Sequence, residues 1–396
     1  MDPTDGLLKL QSFCAIACEQ GYLWGWSDTC CIDKDSTVEL ARAIASMFSW
    51  YRRSALTIVY LADVSGDGIL STSDWFKRGW TLQELLASRK VLFYTQGWSL
   101  YKGLSSSNHK EDDVVLNELE DTTRIGPRYL NDFKPGLDSA RLRLQWASER
   151  RTTQPEDVAY SLFGIFGISL PIIPGESAEN ALGRLLTEII SKSGDVSVLD
   201  WVGEASSFHS CFPARIASYQ SIPYSPSTPR SGELPISGIH APVAARIKLL
   251  DSLSTLDPPH FIGHRLRLPC IAYRVTAVQL QLLDSSASKH VYEIQAEGLN
   301  AFEITLTSNL PNTSRSTLPY VLIRPWHPRL LDLSTELDDM AADKLVTMLG
   351  QPISALLLEE VFRNEYKRIA SSSVIVVRPT DATSVLKGKV QTLDIV

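Results

Sequence analysis

The chain has 396 residues, 44% of them hydrophobic and 21% charged. At roughly 150 residues per domain this predicts two or three domains, each able to bury a core without staples. Such a composition excludes a disordered, collagen-like or disulfide-framework protein. Lys and Arg number 38 against 45 Asp and Glu, a net charge of −7, which argues against a dedicated nucleic-acid binder.

In chain order, residues 7–20 read as a helix with Leu7, Leu10, Phe13, Cys14 and Ala17 on one face, stopped by Gly21. Tyr22 to Trp26 reads as a short aromatic strand. Ser36-Thr-Val-Glu39 is a capping box that opens a helix to about Arg53, with Leu40, Ile44, Met47, Phe48 and Tyr51 inward. The β-branched run Ala55 to Ala62 reads as a buried strand, Gly79 to Ala87 as a helix, and Lys90 to Thr95 as the next strand. Strands and helices alternating at this spacing predict an α/β unit with a parallel sheet. Helices follow at 111–122, 138–150, 155–167 and 176–193. A Pro- and Ser-rich stretch at 221–235 reads as an exposed linker, and beyond it the texture turns strand-rich, with a helix at Ala341 to Leu349.

The six cysteines are too sparse for a disulfide framework and read as reduced thiols buried as small hydrophobes. The acidic N-terminus predicts no signal peptide, and no apolar run is long enough to span a bilayer, so the reading is a soluble cytoplasmic protein. Asp63 to Asp74 mimics a calcium loop through Asp63, Ser65, Asp67, Gly68, Ser71 and Asp74. It follows a strand rather than a helix and ends in Asp, so a polar turn is the favoured reading. His260 and His264 have zinc-helix spacing, but Pro258-Pro259 and Gly263 make a helix there unfavourable, and no metal is predicted.

Two places could carry chemistry. Asp28, Asp33, Lys34 and Asp35 crowd a strand-to-helix loop, where α/β sheets bind ligands. Trp80 and Glu84 lie four apart on one helix face. They could form a stacking wall with an acid, or a core Trp beside a surface Glu paired with Lys77 or Arg78.

Longer motifs carry a family resemblance. Trp26-Ser-Asp28-Thr29-Cys-Cys-Ile-Asp33-Lys34, Met47-x-x-Trp50-Tyr51, Arg78-Gly-Trp80-Thr-Leu-Gln-Glu84-Leu-Leu-Ala87, and Trp146-Ala-x-x-Arg150-x-Thr-Thr-x-x-Glu156-Asp157-x-Ala-Tyr160-Ser-Leu162 follow in order. Together these resemble the fungal heterokaryon-incompatibility (HET) domain over about residues 7–195. The downstream Leu322-Ile-Arg-Pro-Trp326 and Glu365-Tyr-Lys-Arg-Ile-Ala370 resemble the C-terminal region of such proteins from mushroom-type fungi. HET domains are distantly similar to TIR domains. The resemblance implies a TIR/flavodoxin-like parallel sheet lacking its usual first strand, a helical extension, and a β-rich α+β domain. The expected boundaries are 1–205, a linker region 206–240, and 241–396.

In function, the resemblance implies non-self recognition, a form of innate immunity in which the HET domain triggers programmed cell death. Partners are expected to be incompatibility-signalling proteins, with self-association, and neither nucleic acid nor membrane. Some TIR domains cleave NAD with a Glu in a Trp-Cys-Leu-x-Glu-Leu helix. Trp80-Thr-Leu-Gln-Glu84-Leu85 is similar, which nominates Glu84 as catalytic and Asp28, Thr29, Lys34 and Trp80 as substrate-binding. NAD would be substrate, with no bound cofactor. The alternative is a non-enzymatic interaction module or an inactive HET relic.

Overall fold

The computed structural model describes residues 3–66, 68–104, 106–223, 242–284, 289–310, 318–327, 339–381 and 384–396. The fold is mixed α/β, with a small parallel sheet, helices and a large β-rich sheet. The chain forms two compact units, Met1–Gly136 with Glu149–Ala181, and Leu137–Ser148 with Leu182–Val396.

The first unit opens with α1 (Pro3–Glu19), ended by Gly21 at φ +83°. That backbone conformation suits glycine. Among the described side chains of α1 only Ile16 and Ala17 are buried, while Leu7 and Leu8 are exposed, so the apolar face is narrower than its periodicity predicts. Tyr22 to Trp26 forms no strand. Its aromatic character favours a strand, but a strand exists only where a neighbour pairs with it.

After the short α2 (Asp28–Cys31), α3 (Thr37–Arg53) is capped as its sequence predicts. Ser36 Oγ accepts the Glu39 amide at 3.3 Å. Glu39 reaches past Ser36 to accept the Asp33 amide at 3.0 Å, so the box ties the 27–35 loop to the helix.

β1 (Thr57–Tyr60) and β2 (Val91–Tyr94) pair in parallel, Thr57 opposite Val91 and Tyr60 opposite Tyr94, with α4 (Thr81–Ala87) in the crossover. Thr57, Val59, Val91 and Phe93 are buried on one face. On the other, Ile58, Leu92 and Tyr94 pack with Ile16 of α1 and with Trp98. The outer edge of β2 is closed without a strand. Asn108 Oδ1 accepts the Val91 amide (3.1 Å), His109 Nδ1 accepts the Phe93 amide (3.0 Å), and the His109 amide donates to Val91 O (2.9 Å).

The helices α5 (Asp113–Thr123) and α6 (Pro127–Asn131) follow; α7 (Ala140–Ala147) belongs to the second unit. The helix expected over 155–167 is two short turns, α8 (Asp157–Tyr160) and α9 (Phe163–Phe166), broken where Leu162 departs to φ −100°. Gly164 abuts Phe48 of α3, and a Cβ there would overlap the Phe48 side chain. Gly164→Ala should therefore destabilise the protein by about 1–3 kcal/mol, as read by urea denaturation. Wild-type stability would show that Phe48 can shift aside.

α10 (Ala178–Ser193), which enters the second unit at Leu182, and α11 (Val243–Ser254) precede that unit's strands. These are β3 (His260–Ile262), β4 (Arg265–Asp284), β5 (Lys289–Ala296), β6 (Phe302–Leu306), β7 (Tyr320–Pro325), β8 (Ile353–Phe362), β9 (Glu365–Ile369), β10 (Ile375–Val377) and β11 (Lys389–Ile395), with α12 (Asp339–Leu349) between β7 and β8. The nine strands form one sheet in the order β10-β8-β9-β11-β4-β5-β6, with β3 on β4 and β7 bridging β4 and β8. Leu249, Leu250 and Leu253 of α11 and Leu345, Val346 and Leu349 of α12 join its buried core. The predicted linker lies outside the described residues from 224 to 241.

Candidate functional site

Glu84 lies in the middle of α4, whose start is fixed from several sides. Gly79 lies against Thr152, where a Cβ would come within 2.5 Å of Cγ2. The Gly79 amide donates to Arg151 O at 2.9 Å. Arg150, buried, donates to Arg78 O (2.8 Å) and Thr81 Oγ1 (2.9 Å). Burial pulls its guanidinium down to about 10, and the Glu84 charge pulls it back up. Trp80 precedes the helix, and its Nε1 donates to Asp157 at 2.8 Å.

These contacts hold Glu84 half-buried against α3. Burial pushes its carboxyl up to about 7; the Arg78 and Arg150 charges and a hydrogen bond from Tyr51 oppose that, and the Asp28 charge adds to it. Tyr51 itself is held well above the phenol range by burial, then by the Glu84 and Asp28 charges. Trp26 packs edge-on to Tyr51 (5.8 Å) and to Trp50 (5.3 Å). Trp26, Trp80 and Tyr51 pack around buried Ile32, Ala43 and Met47. The result is a carboxyl that titrates near neutrality, acted on by the Tyr51 phenol and by the Arg78 and Arg150 charges.

Of the five residues the sequence nominates, the structure gathers Glu84, Trp80 and Asp28. Asp28 opens α2 and is exposed, with its charge felt at Glu84. Thr29 Oγ1 donates to Asp28 Oδ1 at 3.3 Å. Lys34 is exposed, and among the described residues no hydrogen bond or ion pair joins it to Glu84. Tyr51, Arg78, Arg150 and Asp157 all act on the site without having been nominated. Each lies in a motif that carries the family resemblance, and that was the available signal. Lys77 pairs with Asp74 (3.5 Å) rather than with Glu84.

The raised Glu84 carboxyl predicts a pH dependence. Its folded form keeps a proton that the unfolded chain has lost above the ordinary carboxylate range. Glu84 therefore favours folding at mildly acidic pH, and that contribution disappears as pH rises through about 7. Melting temperatures from pH 5 to pH 8 should fall more steeply for the wild type than for Glu84→Gln. Parallel curves would show that Glu84 titrates normally.

Other predicted sites resolve differently. Asp63 accepts from Ser73 Oγ and the Asp74 amide, both at 2.6 Å, and so caps the following turns. Asp67 of that loop lies outside the described residues. Among the described residues no three His, Cys, Asp or Glu side chains converge as a metal site would need. His260 opens a strand, not a helix. All six cysteines are free, but Cys14, Cys18, Cys30 and Cys31 are exposed, which corrects the expectation of burial for those four. α1 and the 27–31 turn turn these thiols outward because their apolar contacts run through Ile16, Ala17 and Ile32 instead. Among the described residues no helix is long and apolar enough to cross a membrane.

The sequence profile of the Heterokaryon incompatibility protein (HET) family matches residues 7–72, which include α3, β1 and the 27–35 loop. Over 203 residues the chain is 42% identical to the Vegetative incompatibility protein HET-E-1 of Podospora anserina. That match covers 48% of this chain and 14% of the relative, so the chain spans a small part of that protein's length. No solved structure matches. The motifs around Tyr51 and Glu84, the profile and the relative agree: over the matched residues the chain is similar to fungal HET-domain proteins.

Proposed function

We propose that this protein is an effector of vegetative incompatibility that triggers programmed cell death by cleaving NAD. The incompatibility role follows the named relative. The chemistry is carried by one observation, the half-buried Glu84 carboxyl near neutrality between Tyr51, Trp80 and Arg78. Its likeness to the TIR glutamate supports the same reading.

In that reaction the bond between the ribose C1′ and the nicotinamide nitrogen breaks, and nicotinamide leaves with the electron pair. A water adds its hydroxyl to C1′ and releases a proton. Glu84 would hold the ribose hydroxyls and offset the positive charge developing at C1′. Trp80 would shape the pocket wall. Asp28, Thr29 and Lys34 would contact the ribose and diphosphate, and the exposed Arg78 guanidinium suits a diphosphate. Partners would be proteins of incompatibility signalling in the cytoplasm.

Expression in a fungal host tests the reading. Death preceded by NAD loss supports it. Death with NAD intact would overturn the chemistry and select a non-enzymatic interaction module. That second reading is favoured by Leu23 and Trp24, which are 88% and 93% exposed.

A further inference from the structure

β1 has one paired edge and one open edge. In a parallel ladder, alternate residues of a strand direct their N–H and C=O groups to opposite sides. Thr57 donates to Lys90 O (2.9 Å) and Leu61 to Tyr94 O (2.8 Å), so the odd positions face β2. Ile58 and Tyr60 therefore direct their backbone groups away from β2. Among the described residues neither amide has a hydrogen-bond partner. The outer edge of β2 is closed by Asn108 and His109; among the described residues no such group hydrogen-bonds the outer edge of β1. An edge of this kind is a template for another strand.

The complementary feature is on the same unit. The amides of Leu23, Trp24, Gly25 and Trp26 make no hydrogen bond among the described residues. Among the described residues Leu23 and Trp24 are the two most exposed large hydrophobic residues. The Tyr22 amide is taken by Ala17 O (2.8 Å), so it is Leu23 to Trp26 that combines the side chains of a strand with unpaired amides and, among the described residues, joins no sheet. Its Gly25 end is anchored close to Phe13 and its Trp26 end to Trp50, which limits the entropy lost on docking.

We propose that Leu23–Trp26 of one copy adds as a strand to the Ile58–Tyr60 edge of a second copy. The edge offers two N–H and two C=O groups, and alternate residues of a four-residue strand supply the matching set. On the face where Ile58 and Tyr60 project, an added strand would lie beside the partly buried Leu56, Trp98 and Leu100. Trp24 then leaves water for an apolar, aromatic surface.

Donor and acceptor surfaces differ, so the contact is heterologous and repeats head to tail rather than closing a symmetric pair. A single short strand buries less than a stable interface needs, so assembly depends on concentration. The captured segment ends at Trp26, which packs edge-on against Tyr51, whose phenol acts on the Glu84 carboxyl. Assembly would therefore brace the aromatic wall of the Glu84 site. The strand addition itself does not depend on the proposed reaction.

Sedimentation velocity and amide hydrogen exchange on the full chain test this over a concentration series. Average mass should rise with concentration. Exchange at Ile58, Tyr60 and Leu23–Trp26 should slow about tenfold once the concentration reaches about ten times the dissociation constant. The double variant Leu23→Asp/Trp24→Asp changes only exposed side chains and should melt like the wild type. It should stay monomeric and lose the slowing at Ile58 and Tyr60. Three results would overturn the proposal: a monomer at every concentration, an oligomer whose β1 amides exchange at the monomer rate, or slowing that persists on dilution. The last would mean that the segment folds onto β1 of its own chain.

Discussion

Full-length protein carrying Glu84→Gln should release nicotinamide from NAD at least about 100-fold more slowly than the wild type, with little change in KM. Gln keeps the shape and the hydrogen-bonding reach of Glu, so α4 should remain in place. It cannot become an anion, and it is the anion that offsets charge at C1′ as nicotinamide leaves. The loss should fall on kcat, because that charge exists only in the transition state. Tyr51→Phe should have a smaller effect and shift the pH profile toward higher pH. One hydrogen bond that lowers the Glu84 pKa is lost, but so is the phenol that competes with substrate for the carboxylate. If Glu84→Gln and the wild type release nicotinamide equally, Glu84 is not the catalytic group. If neither releases any while both kill the host cell, the enzymatic reading fails and the incompatibility role stands.

The parts of this site readable from sequence are those coded locally. Ser36 and Glu39 announce the start of α3, and the β-branched run at 57–60 announces β1. Trp80 and Glu84 are one helical turn apart, so their shared face follows from spacing. What spacing does not carry is pairing at long range. Asp157 meets Trp80 across 77 residues, and Arg150 meets the turn before α4 across 72. Tyr51 reads as one more inward residue of α3, because its phenol acquires a role only when α4 packs on that helix. The strand expected at Tyr22–Trp26 fails for the same reason in reverse. Its residues favour extended backbone, but no partner strand reaches them within one copy. The second unit's sheet was legible as texture but not as order, since β4 pairs with strands from four separate parts of the chain.

The other large effect is structural, and it lies in the second unit. Arg368→Met should destabilise the protein by about 3–5 kcal/mol and lower the melting temperature by roughly 10 °C or more. Arg368 sits on β9, buried, with its guanidinium 3.7 Å from the Trp201 ring centroid. Nη1 donates to Leu199 O (2.7 Å) and Cys211 O (3.4 Å), and Nη2 to Trp201 O (2.9 Å). Burial draws the guanidinium down to about 10, so it is still a cation at neutral pH. The planar fork thus holds irregular backbone at 199–211 against the sheet. Met fills similar volume but takes a charged donor from three carbonyls, leaving that of Trp201 without one, and removes the cation from the indole face. Arg267 is the internal control. It faces Asp394 at 3.4 Å with both side chains well exposed, and Arg267→Met should cost less than about 1 kcal/mol. Thermal melts followed by Trp fluorescence would separate the two variants. Similar small losses in both would mean that the 199–211 segment is held by its apolar contacts, through Trp201 and Phe212, rather than by the buried guanidinium.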